Sequence, residues 1–266
     1  HCLPLLNNVL KEAKIIAIKS GEKNKTLDTC SDIWEKMTEY GLDRKSLMIN
    51  LGGGVIGDMG GFGASTYKRG IDFINIPTTL LSQVDASVGG KLGIDFKGFK
   101  NHIGLFKDPK MVLVDSKFLN TLPKRELRSG FAEIIKHSII ADKNQWNKIK
   151  VHAFDELDFE KLIQQSVAIK VKVVEEDPEE AGLRKILNFG HTIGHAIESF
   201  YLETPSQLLH GEAIAIGMIC EAYVAEQKNM LTSVELKEIT DYIFGIYGKT
   251  DLPKEDFDPI INLMSQ

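Results

Sequence analysis

The sequence predicts an α/β protein: an N-terminal doubly wound nucleotide-binding part, followed by an all-helical part. Three observations carry this. Short apolar strands alternate with helix-spaced segments over the first half. A glycine-rich turn, GGGVIGDMGG, directly follows one of those strands. Beyond Leu122 strand signals vanish and only helical apolar periods remain. The expected boundary separates residues 1–121 from residues 122–266. With 266 residues, 43% of them apolar and 26% charged, the chain has ample material for two cores. A net charge of −5 gives no reason to expect a nucleic-acid partner. Three scattered cysteines are too few for a disulfide framework, which points to a reducing, cytoplasmic setting. No apolar run reaches membrane-spanning length and no signal peptide is visible. The chain opens without a methionine, and segments beyond both ends are expected.

In chain order, Lys14–Ile18 (KIIAI) reads as a short strand, and Thr26–Tyr40 as a helix with Leu27, Ile33, Trp34 and Met37 on its period. Ser46–Leu51 (SLMINL) is an apolar strand ending in three glycines; DFINI (Asp72–Ile76) and MVLVD (Met111–Asp115) are further strands. Strands that alternate with helices imply a mainly parallel sheet. Lys124–Ala141, Phe159–Val174, Ile186–Phe200 and Glu212–Lys228 carry helical periods.

Several segments bear chemistry. LGGGVIGDMGGFGAS contains Gly52-x-Gly54-x-x-Gly57, whose backbone N–H groups and helix N-terminus suit a phosphate. A tight strand-to-helix turn would look similar, so the motif alone is weak. In NFGHTIGHAIES, His191 and His195 stand one helical turn apart, each after a glycine. They suit a shared metal, a split between metal and substrate, or plain packing, and spacing alone does not decide. Catalytic zinc takes three nitrogen or carboxylate ligands and keeps one open position. Candidates are Glu133, His137, His152, His191, His195 and His210. Glu133 and Lys136 share a helical face amid Phe131, Ile134 and Ile135, so each needs a partner. Lys91 follows two glycines in VGGKLGID, again an anion-friendly arrangement, while Lys100, Lys170 and Arg184 read singly as surface cations.

Taken together, GGGVIGDMGGFGASTYKRG, IPTTLLSQVDASVGGKLGID, FKNHIG, LNTLPKRELRSGFAEIIKHSI, EEAGLRKILNFGHTIGHAIE and LLHGEAIAIGM closely resemble the 3-dehydroquinate synthase family of sugar phosphate cyclases. The blocks run in family order from about Ser20 to Met218 and are jointly specific. The resemblance implies an NAD-binding domain, a helical metal domain and a homodimer. It implies Glu133, His191 and His210 as ligands of a divalent metal, zinc or alternatively cobalt. It places Lys91, Asn101 and His195 on the substrate phosphate, and Arg69 on the neighbouring subunit's site. Asp85, Lys136, Lys170, Arg184 and Asn188 match residues around the hydroxyls and carboxylate. Glu22, Lys25, Gly53, Gly54, Asp58, Thr78, Thr79, Lys91, Lys100, Thr121 and Glu126 lie in or beside NAD-contacting motifs. The family also has strands before His1 and a phosphate-binding lysine after LMSQ, both expected beyond this sequence.

The implied substrate is a seven-carbon ketose acid phosphate, whose phosphate carries roughly −1.5 to −2 charges. Lys91, Lys136, Lys170, Arg184 and the metal would offset that charge. The implied chemistry is transient oxidation by NAD⁺, β-elimination of phosphate, return of the hydride, and aldol closure of the ring. Rival readings are a cyclase making an inosose or valiolone ring, a metal- and NAD-dependent polyol dehydrogenase, and a non-catalytic NAD-binding relic. Lys170 with Arg184 favours a carboxylate substrate over the first rival; the phosphate residues disfavour the second, and the intact matched residues the third.

Overall fold

The computed structural model describes residues 1–97, 99–202 and 204–264. The chain divides after Leu122 into two compact units. The last residues of the expected helical domain, Ser265 and Gln266, lie outside the described residues.

In the N-terminal unit, strands β1 (Leu47–Gly52) and β2 (Asp72–Pro77) pair in parallel, with Ile49 opposite Ile74 and Leu51 opposite Ile76. Helix α1 (Leu27–Glu39) starts where Thr26 accepts a hydrogen bond from Thr29 N at 3.3 Å, a standard N-cap. It buries Cys30, Ile33 and Met37. Helix α2 (Gly54–Thr66) leaves β1 through Gly53 and buries Met59, Phe62 and Ala64 in the same core as Phe73. The parallel crossover β1–α2–β2 is the doubly wound unit expected from the alternation.

Three expectations need correction. The segment 14–18 forms no ladder among the described residues. It keeps the period-two pattern of a strand, with Ile16 and Ile18 packed on the α1–α2 core and Tyr40 Oη donating to Ile15 O at 3.1 Å. Side-chain docking has replaced backbone pairing. The MVLVD strand shrinks to Met111–Val112, because Asp115 turns to cap the tight helical turn Ser116–Thr121, accepting Lys117 N at 2.8 Å. The stretch around GGKLGID is an antiparallel hairpin, not only a loop. Its strands are β3 (Lys91–Phe96) and β4 (Phe99–Phe106), with Leu92 opposite Leu105 and Ile94 opposite Ile103. Leu92 and Ile94 belong to the N-terminal core, so this hairpin is anchored by burial. Strand β5 (Met111–Val112) then completes a parallel sheet of order β1-β2-β5.

The C-terminal unit is built of helices and turns, with no strand among its described residues. Helices α3 (Lys124–Ala141), α4 (Lys143–Ile149) and α5 (Phe159–Glu176) come first, and rings of Phe131, Phe154 and Phe159 stack edge-to-face between α3 and α5. Then follow α6 (His191–Tyr201), α7 (His210–Gln227), α8 (Ser233–Tyr247) and α9 (Phe257–Leu263). The helix expected over Ile186–Phe200 is broken. Leu183–Asn188 forms a tight 3₁₀ turn, Gly190 adopts φ 80°, and α6 begins only at His191. Glycine enters that left-handed region without the penalty a Cβ imposes. Glu221 on α7 fixes the break by accepting Gly190 N at 2.8 Å. Among the described residues no helix is long and apolar enough to cross a membrane.

Candidate active site

Helix α3 is buried nearly all round: Phe131, Ala132, Ile134 and Ile135 are wholly enclosed. Glu133 and Lys136, one turn apart, are therefore enclosed too, with side-chain exposures of 0% and 1%. They form a close ion pair. Neither Glu133 oxygen accepts a hydrogen bond. Instead Oε1 faces His191 Nε2 at 3.6 Å and His210 Nε2 at 3.5 Å. Burial favours the neutral acid, but the charges of Lys136 and His210 outweigh it and hold Glu133 well below the usual carboxylate range.

Glycines on α6 and α7 explain how the histidines converge. A Cβ at Gly194 would come within 2.7 Å of the Ile214 side chain, and one at Gly217 within 2.0 Å of Gly190 O. Helices α6 and α7 thus cross backbone to backbone, which brings His191 and His195 against His210. The His191 ring centroid lies 4.9 Å from that of His195 and 5.5 Å from that of His210. His195 occupies the exposed side of this cluster.

Each inner histidine is held from behind. His191 Nδ1 meets Phe189 O at 3.3 Å, and His210 Nδ1 meets Glu198 Oε2 at 3.2 Å. Both rings thereby turn Nε2 toward Glu133. Burial pushes the His191 pKa down to about 3, so that ring is neutral. Burial pushes His210 down as well, but the two carboxylates it faces, Glu133 and Glu198, overcome it and raise the group to about 9.

These residues fit a metal ion. Ligands at about 2.0–2.2 Å in a tetrahedron lie about 3.3–3.6 Å apart, which matches the separations around Glu133. A buried acceptor without hydrogen bonds, faced by two back-anchored imidazoles, is the donor set such an ion requires.

The other residues singled out in the sequence fall into several groups. Lys170 and Arg184 are both buried, on α5 and on the turn after it. That turn is organised by Asp177, whose carboxylate accepts Ala181 N, Gly182 N and Arg184 N at 2.7–2.9 Å. Arg184 Nη1 donates to Pro178 O at 2.6 Å, and Asn188 Nδ2 to Glu180 Oε1 at 2.8 Å. In the N-terminal unit Gly53 caps α2, Gly54 is its first residue, and Thr79 packs on Gly53. Thr78 N donates to Gly52 O at 2.9 Å, and Thr79 shares a hydrogen bond with Ser82. Lys25, 3% exposed, donates to Asp58 Oδ2 at 2.5 Å and to Asn101 Oδ1, with Glu22 at 4.0 Å. Asn101 is thus joined to the cofactor-motif residues, whereas the sequence alone set them apart. Asp85 is half-buried on the turn Ser82–Ala86, Lys91 opens β3, and Lys100 lies on β4. Arg69, Thr121 and Glu126 are exposed.

Sequence reasoning missed Glu198, Glu221 and Asp177. Only Glu198 left a signal, since it lies three residues after His195 and seven after His191, on their helical face. The other two act on backbone at breaks whose geometry no periodicity reveals.

Comparison with known proteins identifies the family. A family model described as 3-dehydroquinate synthase N-terminal matches residues 15–129, and one described as 3-dehydroquinate synthase C-terminal matches 130–266. A protein of Parabacteroides distasonis named 3-dehydroquinate synthase is 41% identical over 269 residues, covering 99% of this chain and 76% of that protein. Among solved structures, 2-epi-5-epi-valiolone synthase from Streptomyces hygroscopicus, with NAD⁺ and Zn²⁺ bound, superimposes with a TM-score of 0.88 at 26% identity. It covers 98% of this chain and 78% of its own. A 2-deoxy-scyllo-inosose synthase complexed with carbaglucose-6-phosphate, NAD⁺ and Co²⁺ gives a TM-score of 0.86 at 28% identity, covering 99% of this chain and 75% of its own. Matched over both halves, by family model and by curated relative alike, the chain belongs to the 3-dehydroquinate synthase family.

Proposed function

We propose that this chain converts 3-deoxy-D-arabino-heptulosonate 7-phosphate to 3-dehydroquinate and phosphate, a phosphate-eliminating cyclisation in the shikimate pathway of aromatic amino acid biosynthesis. The observation that carries the site is Glu133, buried without hydrogen bonds and faced by His191 Nε2 and His210 Nε2. Glu133, His191 and His210 would hold a divalent ion, zinc in our reading. The N-terminal unit would bind NAD, with the pyrophosphate at the Gly53–Gly54 start of α2, a helix N-terminus with no side-chain cap. Metal and NAD supply a Lewis acid for adjacent substrate hydroxyls and a hydride acceptor that gives the hydride back.

The chain's own residues do the rest. His195, on the exposed side of the cluster, takes the substrate phosphate together with Lys91 and Asn101. Lys136 is held beside the metal ligands by Glu133, close to hydroxyls bound there. Arg184, oriented by Pro178 O, offers a charged fork to the carboxylate, with Lys170 as its companion cation. Asp85 and Asn188 orient hydroxyls. Glu22, Lys25, Asp58, Thr78, Thr79, Lys100, Thr121 and Glu126 shape the nucleotide site. We further take the active form to be a cytoplasmic homodimer, in which the exposed Arg69 would serve a neighbouring subunit.

The inosose and valiolone cyclases among the structural relatives define the sharpest rival. The carboxylate separates the two readings. Arg184→Lys keeps the charge and loses the fork. It should cost about 1.5–3 kcal/mol in kcat/KM on the heptulosonate phosphate, measured by phosphate release. A substrate analogue without the carboxylate should be turned over poorly by the wild type, and no worse by the variant. Equal losses on both substrates would remove the carboxylate assignment.

A further inference from the structure

The two inner histidines are anchored differently. His191 leans on a backbone carbonyl two residues before it, Phe189 O, which no side-chain substitution removes. His210 leans on a side chain from another helix. Glu198 sits on α6, is 8% exposed, and reaches across to α7, placing Oε2 3.2 Å from His210 Nδ1. On the far side of the same ring, Nε2 stands 3.5 Å from Glu133 Oε1. The imidazole is thus spanned by two carboxylates. The one behind it accepts a hydrogen bond from Nδ1–H, which leaves Nε2 as the nitrogen that would face the ion.

From this geometry we propose that Glu198 is a positioning residue for the metal, acting through His210. The proposal rests on the reading of Glu133, His191 and His210 as the ligand set. Its physical basis is the crossing of α6 and α7. Helix α6 supplies both His191 and the anchor for His210, so one rigid element fixes two of the three ligands. Without the anchor, the His210 ring would be free to rotate about its terminal torsion, and Nε2 would no longer be held toward Glu133.

The test is Zn²⁺ affinity of the metal-free full chain, measured by competition with a chromophoric chelator, with the visible spectrum of the Co²⁺ form as a second readout. Glu198→Ala should weaken Zn²⁺ binding by about 10–100-fold and alter the Co²⁺ spectrum. Glu198→Gln retains an oxygen acceptor of the same reach and should restore binding to within a few-fold of wild type. Should Glu198→Ala fail to fold, Glu198→Asp, too short to meet Nδ1, should show the same loss. His191→Ala is the control for the site itself. Undiminished Zn²⁺ binding in His191→Ala would refute the ligand set. Lost binding there, with Glu198→Ala equal to wild type, would refute the role of Glu198 alone. Equal weakening in the Ala and Gln variants would assign the effect to charge rather than orientation and would also overturn the proposal.

Discussion

Each unit of this chain buries a lysine–carboxylate pair, and the two pairs are resolved in opposite ways. In the N-terminal unit Lys25 donates to both Asp58 and Asn101, and the side chain of Asp58 remains 19% exposed. Burial pushes Asp58 up, with Lys25 opposing it only in part. In the C-terminal unit Glu133 and Lys136 are sealed from water, and the carboxylate accepts no hydrogen bond while two imidazoles face it. A buried charge persists only if something compensates it. The first pair compensates internally and knits β4 to α2. The second leaves an acceptor aimed at a common point, the condition of a site that binds something.

The largest expected effect breaks this comparison directly. In the metal-free protein, Glu133→Ala strands the Lys136 ammonium and should cost about 3–5 kcal/mol of unfolding free energy in denaturant titration. Adding Lys136→Met should recover most of it. Lys25→Met should cost only about 1–3 kcal/mol, because Asp58 is partly hydrated and can take a proton. Similar losses from Glu133→Ala and Lys25→Met would mean that the two pairs are energetically alike.

A smaller effect contrasts two close approaches. At Gly217 a Cβ would meet the backbone oxygen of Gly190 at 2.0 Å; at Gly60 it would meet the side chain of Asn50, also at 2.0 Å. Backbone in a helix crossing yields less than a side chain does. Gly217→Ala should therefore cost about 1–3 kcal/mol and displace the histidines, lowering Zn²⁺ affinity as well. Gly60→Ala should cost less and leave metal binding intact, since Asn50 can rotate at the expense of its 2.9 Å bond to Asn75. A larger loss at Gly60 would reverse the ranking of the two units.

The smallest effect concerns pH. Hydrogen bonds from Arg184 N, Gly182 N and Ala181 N lower the pKa of Asp177 below its ordinary value of 3.8. A depressed carboxylate contributes stability that is complete above the unfolded value and is lost as pH falls through the folded one. The thermal midpoint should therefore fall more steeply on acidification below pH 3.8 in wild type than in Asp177→Asn. Parallel curves would remove Asp177 as the organiser of the Arg184 turn.

Much of the fold was legible because it follows from local rules. The apolar runs read at Ser46–Leu51 and Asp72–Ile76 appear as the parallel strands Leu47–Gly52 and Asp72–Pro77, and Lys124–Ala141 appears as a helix with those bounds. The Lys91–Phe106 hairpin was not legible, because its glycines read equally well as a phosphate loop and its burial depends on the core beneath it. The break before His191 was hidden for a similar reason: apolar spacing runs through it, and only Gly190 and the distant Glu221 reveal it.

What the sequence by itself determined is the order of strands and helices, the glycine turn, and the residue types able to bind metal, phosphate and carboxylate. These depend on side-chain periodicity and chemistry, which are properties of neighbours in the chain. Only the tertiary structure decided which of His191 and His195 faces Glu133, that Glu198 stands behind His210, and that Asn101 joins Lys25 and Asp58. Those relations depend on how closely backbones cross. At Gly194 and Gly217 that distance is set by the absence of a Cβ, and its effect reaches residues far apart in sequence.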